Sequence, residues 1–211
     1  MGSPKATPPG PVPTGRAAGG TPRAALAELL AGNRRFVSGQ PIHGHDVTAA
    51  AAASGDQQPY AVLLGCIDSR VPLEAIFDQT FGSICVIRTG GHVLDRAVLG
   101  SIEYVVGELG VPLVMVLGHE RCGAVASAVD ALRGARSTDG PLGHLVEQIA
   151  PAVTEVGVDD PRVQPMAIRR HVFRTVAALR TDALLAGPVD AGRLAVVGAL
   201  YDLATGEVAL L

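Results

Sequence analysis

The spacing of hydrophobic positions along this chain alternates between two periods, and the alternation sets out its elements. Leu26, Leu29, Leu30 and Phe36 recur near helical spacing, which predicts a short helix over about 23–38. A weak Ala-rich helix begins at Asp46, a residue type that caps helix starts, and ends at Ser54–Gly55. After Pro59 the pattern turns to βαβ. Tyr60–Gly65 is an apolar strand, Pro72–Asp78 a short helix with Pro in its first turn, and Ser83–Arg88 a second strand. Val98, Leu99, Ile102, Val105, Val106 and Leu109 form a helical stripe over Arg96–Leu109, stopped by Gly110 and Pro112 before a third strand, Leu113–Leu117. Helices follow at about 122–132, around 142–149 and over 163–185. Arg193–Leu200 is the fourth strand, and Thr205–Gly206 turns the chain into a short strand, Glu207–Leu210, that closes one sheet edge. The expected fold is α/β: a mostly parallel central sheet of four strands plus a short closing edge strand, flanked by helices, with an N-terminal helical arm.

Composition narrows the function classes. Residues 1–22 are dense in Pro, Gly and Ala with almost nothing to bury, so they read as a flexible extension. Residues 23–211 have the length of one domain. Its arm, 23–55, is an apolar helix on a loop of Gly, His and Pro, and is expected to gain most by packing on a partner subunit. No apolar run approaches the roughly 20 residues of a membrane span, and a net charge of −3 gives no basic footprint for nucleic acid or lipid. Aromatic residues make up only 3% and Trp is absent, so few rings exist to stack on bases or sugars. A small-molecule substrate fits better. No secretory signal opens the chain, and its three Cys cannot all pair internally, which predicts a reducing cytoplasm where thiols serve as buried apolar groups, nucleophiles or metal ligands.

Two of those Cys sit where strands should end. Cys66 follows Tyr60–Gly65 directly, and His119-Glu-Arg-Cys122 follows Leu113–Leu117 after one Gly. In an α/β sheet both groups lie at carboxyl strand ends, and if strand order reverses between them their loops open into one crevice. Two thiolates and an imidazole suit Zn²⁺, and three protein ligands leave a fourth tetrahedral position open, as catalytic sites do. Asp68 and Arg70, immediately after Cys66, are either solvated turn residues capping the next helix or a working pair. Beside a metal, a carboxylate held ionised by a bidentate Arg is an acceptor aimed at water.

The stretches Cys66-Ile-Asp-Ser-Arg70 and Gly118-His-Glu-Arg-Cys-Gly-Ala-Val125 resemble the two motifs of the β-class carbonic anhydrases, C-x-D-S-R and H-x-x-C. The likeness extends to Leu29–Gly39, similar to the family's amino-terminal arm, to Arg88-Thr-Gly-Gly-His92 and to Ser101-Ile-Glu-Tyr-Val105. The resemblance implies Zn²⁺ on Cys66, His119 and Cys122, an Asp68–Arg70 dyad, and reversible hydration of CO2 to bicarbonate and a proton by a zinc-bound hydroxide. It further implies substrate contacts from Gln57, Tyr104 and Gly123, and a homo-oligomer, a dimer or dimer of dimers, with clefts at the subunit interface. Asp68 moving onto zinc at low pH is a variation of the same family. Three positions depart from common members: Cys85 replaces a Phe of the CO2 pocket, His92 an Asn, and Leu63 the Trp of an inhibitory bicarbonate site. Carbonyl sulfide or carbon disulfide hydrolysis on the same zinc site, or a non-catalytic zinc-binding role, are the competing readings. His43, His45, His144 and His171 read as surface or helix-side residues, and Glu74, Asp78 and Glu120 as solvated or capping charges.

Overall fold

In the computed structural model, which describes residues 20–135 and 137–211, five strands join in one sheet of order β2-β1-β3-β4-β5. They are β1 (Ala61–Cys66), β2 (Ile84–Thr89), β3 (Leu113–His119), β4 (Ala195–Tyr201) and β5 (Val208–Leu210). The first four pair in parallel and β5 closes the edge antiparallel to β4, as the pattern predicts. Strands β1 and β3 are buried along their whole length, which is why they read as unbroken apolar runs rather than alternations. The chain leaves β1 outward to β2 and then crosses back to β3, so strand order reverses between β1 and β3. Their carboxyl ends flank the crevice where α/β folds bind ligands.

The helices are α1 (Pro22–Val37), α2 (Val47–Ala52), α3 (Leu73–Ile76), α4 (Arg96–Gly107), α5 (Gly123–Leu132), α6 (Pro141–Val156), α7 (Val163–Arg180) and α8 (Ala186–Asp190). Helices α4 and α7 bury Val62, Leu64, Val114 and Val116 on one face of the sheet, while α1 and α3 bury Ala61, Leu63, Leu113 and Met115 on the other. A third apolar cluster, built by α5, α6 and α7, walls the end that carries Cys66 and Cys122.

Several boundaries differ from expectation. The helix expected over 163–185 stops at Arg180, because Asp182 Oδ1 accepts from the backbone N–H groups of Leu184 and Leu185 and turns the chain. Helix α6 runs beyond Ile149 to Val156, carried by the buried stripe Val146, Ile149, Ala152 and Val153; Pro151 withholds a hydrogen bond only from the carbonyl of exposed Glu147. Thr21 and Pro22, placed in the flexible extension, are the N-cap and first residue of α1, and the rest of that extension through residue 19 lies outside the described residues. The arm divides. Helix α1 seats on its own chain's sheet, with Ala25 and Leu29 fully buried, whereas Ile42 and Val47 beyond it are 58% and 82% exposed.

Polar contacts lock α1 in place. Asn33 donates to the carbonyls of Ile76 (3.1 Å) and Gly206 (2.9 Å) and accepts from the Val208 N–H (3.0 Å). Asp78, expected as a solvated or capping charge, is buried: it accepts from Arg35 Nε (2.5 Å) and from the backbone N–H groups of Ile42 and His43. Burial alone would raise its pKa, but those donors outweigh it and hold the carboxyl below its ordinary value. A depressed folded-state pKa contributes stability that is present above the unfolded value of about 3.9 and lost as pH falls through the folded one. Asp78→Asn therefore costs about 1.5–3 kcal/mol near neutral pH, and urea titrations of both proteins should show the gap narrowing below about pH 4. A gap that widens in acid would contradict this linkage.

Candidate metal centre

Cys66 is the last residue of β1, His119 the last of β3, and Cys122 the N-cap of α5. All three are buried, their donor atoms lie within 4.8 Å of one another, and the two sulfurs are 4.0 Å apart. Two thiolates about 2.3 Å from one tetrahedral zinc would sit about 3.8 Å apart, so the pair needs almost no adjustment to receive it. His119 Nδ1 lies 2.9 Å from the Glu120 carbonyl and donates to it, which leaves Nε2 as the acceptor. That Nε2 is buried with no hydrogen-bond partner, a costly state unless the lone pair meets a cation. The donor set and this orphaned nitrogen fit a zinc ion.

The sulfurs are prepared electrically. Cys122 donates its S–H to Cys66, and the Asp68 and Gly91 amides add further donors, so the Cys66 pKa falls well below its ordinary value despite burial. Cys122 is pushed up in return because it holds the shared proton, although the first amides of α5 favour its thiolate.

Asp68 and Arg70 form the dyad. Arg70 donates Nε to Asp68 Oδ1 (2.9 Å) and Nη2 to Oδ2 (2.7 Å), and its backbone N–H adds a third bond to Oδ1 (2.9 Å). The guanidinium holds the carboxyl well below the usual carboxylate range. Arg88, singled out only as part of a motif, grips the same loop from β2: Nε donates to the Cys66 carbonyl (2.8 Å) and Nη2 to that of Asp68 (2.6 Å). Its spacing of 22 residues from Cys66 hides this contact, which depends on β1 and β2 pairing in register.

The remaining expected residues scatter. Gly123, the first residue of α5, adjoins Cys122, and a side chain there would meet no atom within 4 Å. Gln57 lines a cavity of about 480 Å³ with Tyr60, Gly107, Gly110 and Pro112, residues that precede β1 and β3. The length of β1 from Ala61 to Cys66, about 17 Å of extended chain, separates that end from Cys66. Tyr104 is 56% exposed in the last half of α4, which returns to the same amino end of the sheet. Neither reaches the Cys/His/Cys group of its own chain. Cys85 packs toward the α4/α7 face, outside that group, with its thiol pKa raised by burial. His171, expected at a surface or on a helix side, lies on α7 but only 4% exposed, where it bonds the Gly91 carbonyl, and His92 is fully enclosed beside it.

Two sulfurs and an imidazole at the reversal point of a parallel sheet, with an ionised carboxylate clamped beside them, are the donor set of a metalloenzyme site with an open fourth position. The carbonic anhydrase family model matches residues 61–208. Carbonic anhydrase 2 of Mycobacterium tuberculosis is 45% identical over 193 residues, covering 90% of this chain and 92% of that protein. The carbonic anhydrase of Mycolicibacterium smegmatis is 44% identical over 195 residues, covering 90% and 93%. The fold also matches a Coccomyxa β-carbonic anhydrase solved with acetazolamide (TM-score 0.69, 23% identity, 88% and 86% of the two chains). Tetrameric β-carbonic anhydrases of Sordaria macrospora match similarly (TM-score 0.69, 21% identity, 90% and 95%). The chain belongs to the β-class carbonic anhydrase family.

Proposed function

We propose that this protein catalyses the reversible hydration of CO2 to bicarbonate and a proton, with Zn²⁺ held by Cys66, His119 and Cys122. The observation that carries the reading is the meeting of two sulfurs and an orphaned imidazole nitrogen beside a carboxylate that Arg70 keeps ionised. Zinc, when bound, supplies Lewis acidity that lets water lose a proton near neutral pH. Asp68 accepts a hydrogen bond from the reacting water and fixes its orientation. Its own Arg70 bonds prevent it from acting as a donor. Arg88 holds the backbone that carries both Cys66 and Asp68, so ligand and acceptor keep their relative places. Gly123 leaves the approach to Cys122 free of a side chain.

Gln57 and Tyr104 serve the site of a neighbouring copy, since their own chain holds them at the opposite end of the sheet. The minimum unit is then a dimer, or a dimer of dimers, with exposed Ile42 and Val47 of the arm covered by the second subunit. No helix among the described residues is long and apolar enough to cross a membrane, and three unpaired Cys suit a reducing cytoplasm. One zinc per chain by elemental analysis, with stopped-flow CO2 hydration that a chelator removes and added Zn²⁺ restores, is the expected result. A zinc-loaded protein that does not hydrate CO2 overturns the reading.

A further inference from the structure

Behind the three ligands a chain of contacts leads away from the metal centre. The turn Gly90–His92, directly after β2, points the Gly91 N–H at Cys66 Sγ, 3.4 Å away. Gly91 is held in the left-handed region at φ 64°, and a Cβ there would lie 3.0 Å from the Ala124 Cβ and 2.9 Å from Ile149 Cδ1, so the peptide is wedged against α5 and α6. The other side of the same residue is held too: His171 Nε2, from α7, lies 3.0 Å from the Gly91 carbonyl and donates to it. Burial keeps His171 neutral, so Nε2–H is its donor and Nδ1 its acceptor. His92 packs against the His171 ring at a centroid distance of 4.5 Å and is enclosed on all sides, which denies that ring another resting place.

We propose that His171 is a positioning residue of the metal centre: by holding the Gly91 carbonyl it aims the Gly91 N–H at the Cys66 sulfur and so sets how strongly that thiolate donates to the metal. An N–H directed at a coordinated sulfur withdraws electron density from it, and the group that orients such a donor acts on the metal without touching it. The proposal rests on the Cys/His/Cys group being the metal site. Helix α7 supplies none of the ligands, yet through His171 its packing on the sheet is tied to the ligand field.

The test uses the full-length protein loaded with cobalt(II), whose sulfur-to-metal charge-transfer absorption reports thiolate donation, and with NMR-active cadmium, which couples to an amide proton across an N–H···S bond. Wild type should show the coupling at the Gly91 amide. His171→Leu should lose it and move the cobalt band to lower energy, the direction of a thiolate that donates more strongly. His171→Gln, which restores an N–H at similar reach, should recover the wild-type band. Val172→Ala, a buried neighbour on α7 packed against Gly118 and Gly198, should lower stability and leave the band unmoved. A wild type with no coupling at Gly91, an unmoved band in His171→Leu, or a Val172→Ala band that shifts alike each overturns the role of His171. Where His171→Leu fails to fold, absence of the coupling in wild type still overturns the proposal, and the cobalt band of His171→Gln against wild type still tests the role of His171. A wild type that takes up neither metal overturns the metal-site reading itself, and the proposal with it.

Discussion

Asp68→Asn should keep its zinc and lose CO2 hydration by about 10²- to 10³-fold in kcat/KM, the scale of removing a positioned proton acceptor. The substitution preserves shape but exchanges an acceptor-only carboxylate for an amide whose NH2 can only donate. Arg70 now makes Nε and Nη2 bonds to both carboxylate oxygens, so in the variant it competes for the single remaining acceptor. The three ligands are untouched, since Asp68 is outside the Cys66, His119 and Cys122 group. Metal content therefore separates loss of the acceptor from loss of the site. Arg70→Ala should be milder, about tenfold, because the backbone N–H of residue 70 still holds Asp68 Oδ1 and the Arg70 side chain is half exposed. Stopped-flow hydration with zinc analysis on the same samples checks both. An Asp68→Asn enzyme within a few-fold of wild type would remove Asp68 from the reaction.

What the sequence made legible was local. Apolar runs bounded by Gly and Pro located β1 and β3, and the residues just past their ends located the ligands, because strand direction alone decides which end of a parallel sheet they occupy. The Asp68–Arg70 pair is two residues apart and needs no tertiary information. The supports were hidden for the opposite reason. Arg88 meets Cys66 across 22 residues, Arg35 meets Asp78 across 43 and His171 meets Gly91 across 80, and a polar residue of unknown partner reads as solvated. The positions of Gln57 and Tyr104 were recoverable in principle. Nine residues of extended chain before Cys66 must end at the far side of the sheet, so strand geometry alone already separates Gln57 from the ligands of its own chain. The amphipathic pattern of α1 showed an apolar face without saying which surface covers it, and Asn33 with Gly32 decides for its own chain.

Gly32→Ala tests that seat, and propensity and packing give it opposite signs. Gly32 lies inside α1, where Ala favours the isolated helix by about 1 kcal/mol. In the folded chain a Cβ at this position would fall 1.7 Å from the Phe77 carbonyl oxygen and 2.8 Å from its carbon. Both are backbone atoms, at the end of α3, which cannot rotate aside as a side chain would. The helix must lift, and lifting it breaks the three Asn33 bonds to residues 76, 206 and 208 together with the Arg35–Asp78 pair. Loss of these with the burial of Leu29 outweighs the propensity gain, giving a net destabilisation of about 3–5 kcal/mol and a Tm lower by roughly 10 °C. Circular dichroism on a peptide of residues 20–40 should show more helix with Ala, while thermal unfolding of the whole protein shows less stability. If peptide and protein both gain, α1 does not rest on α3 of its own chain. If only the protein loses, close backbone contact at Gly32 is what keeps the arm's first helix on its own chain.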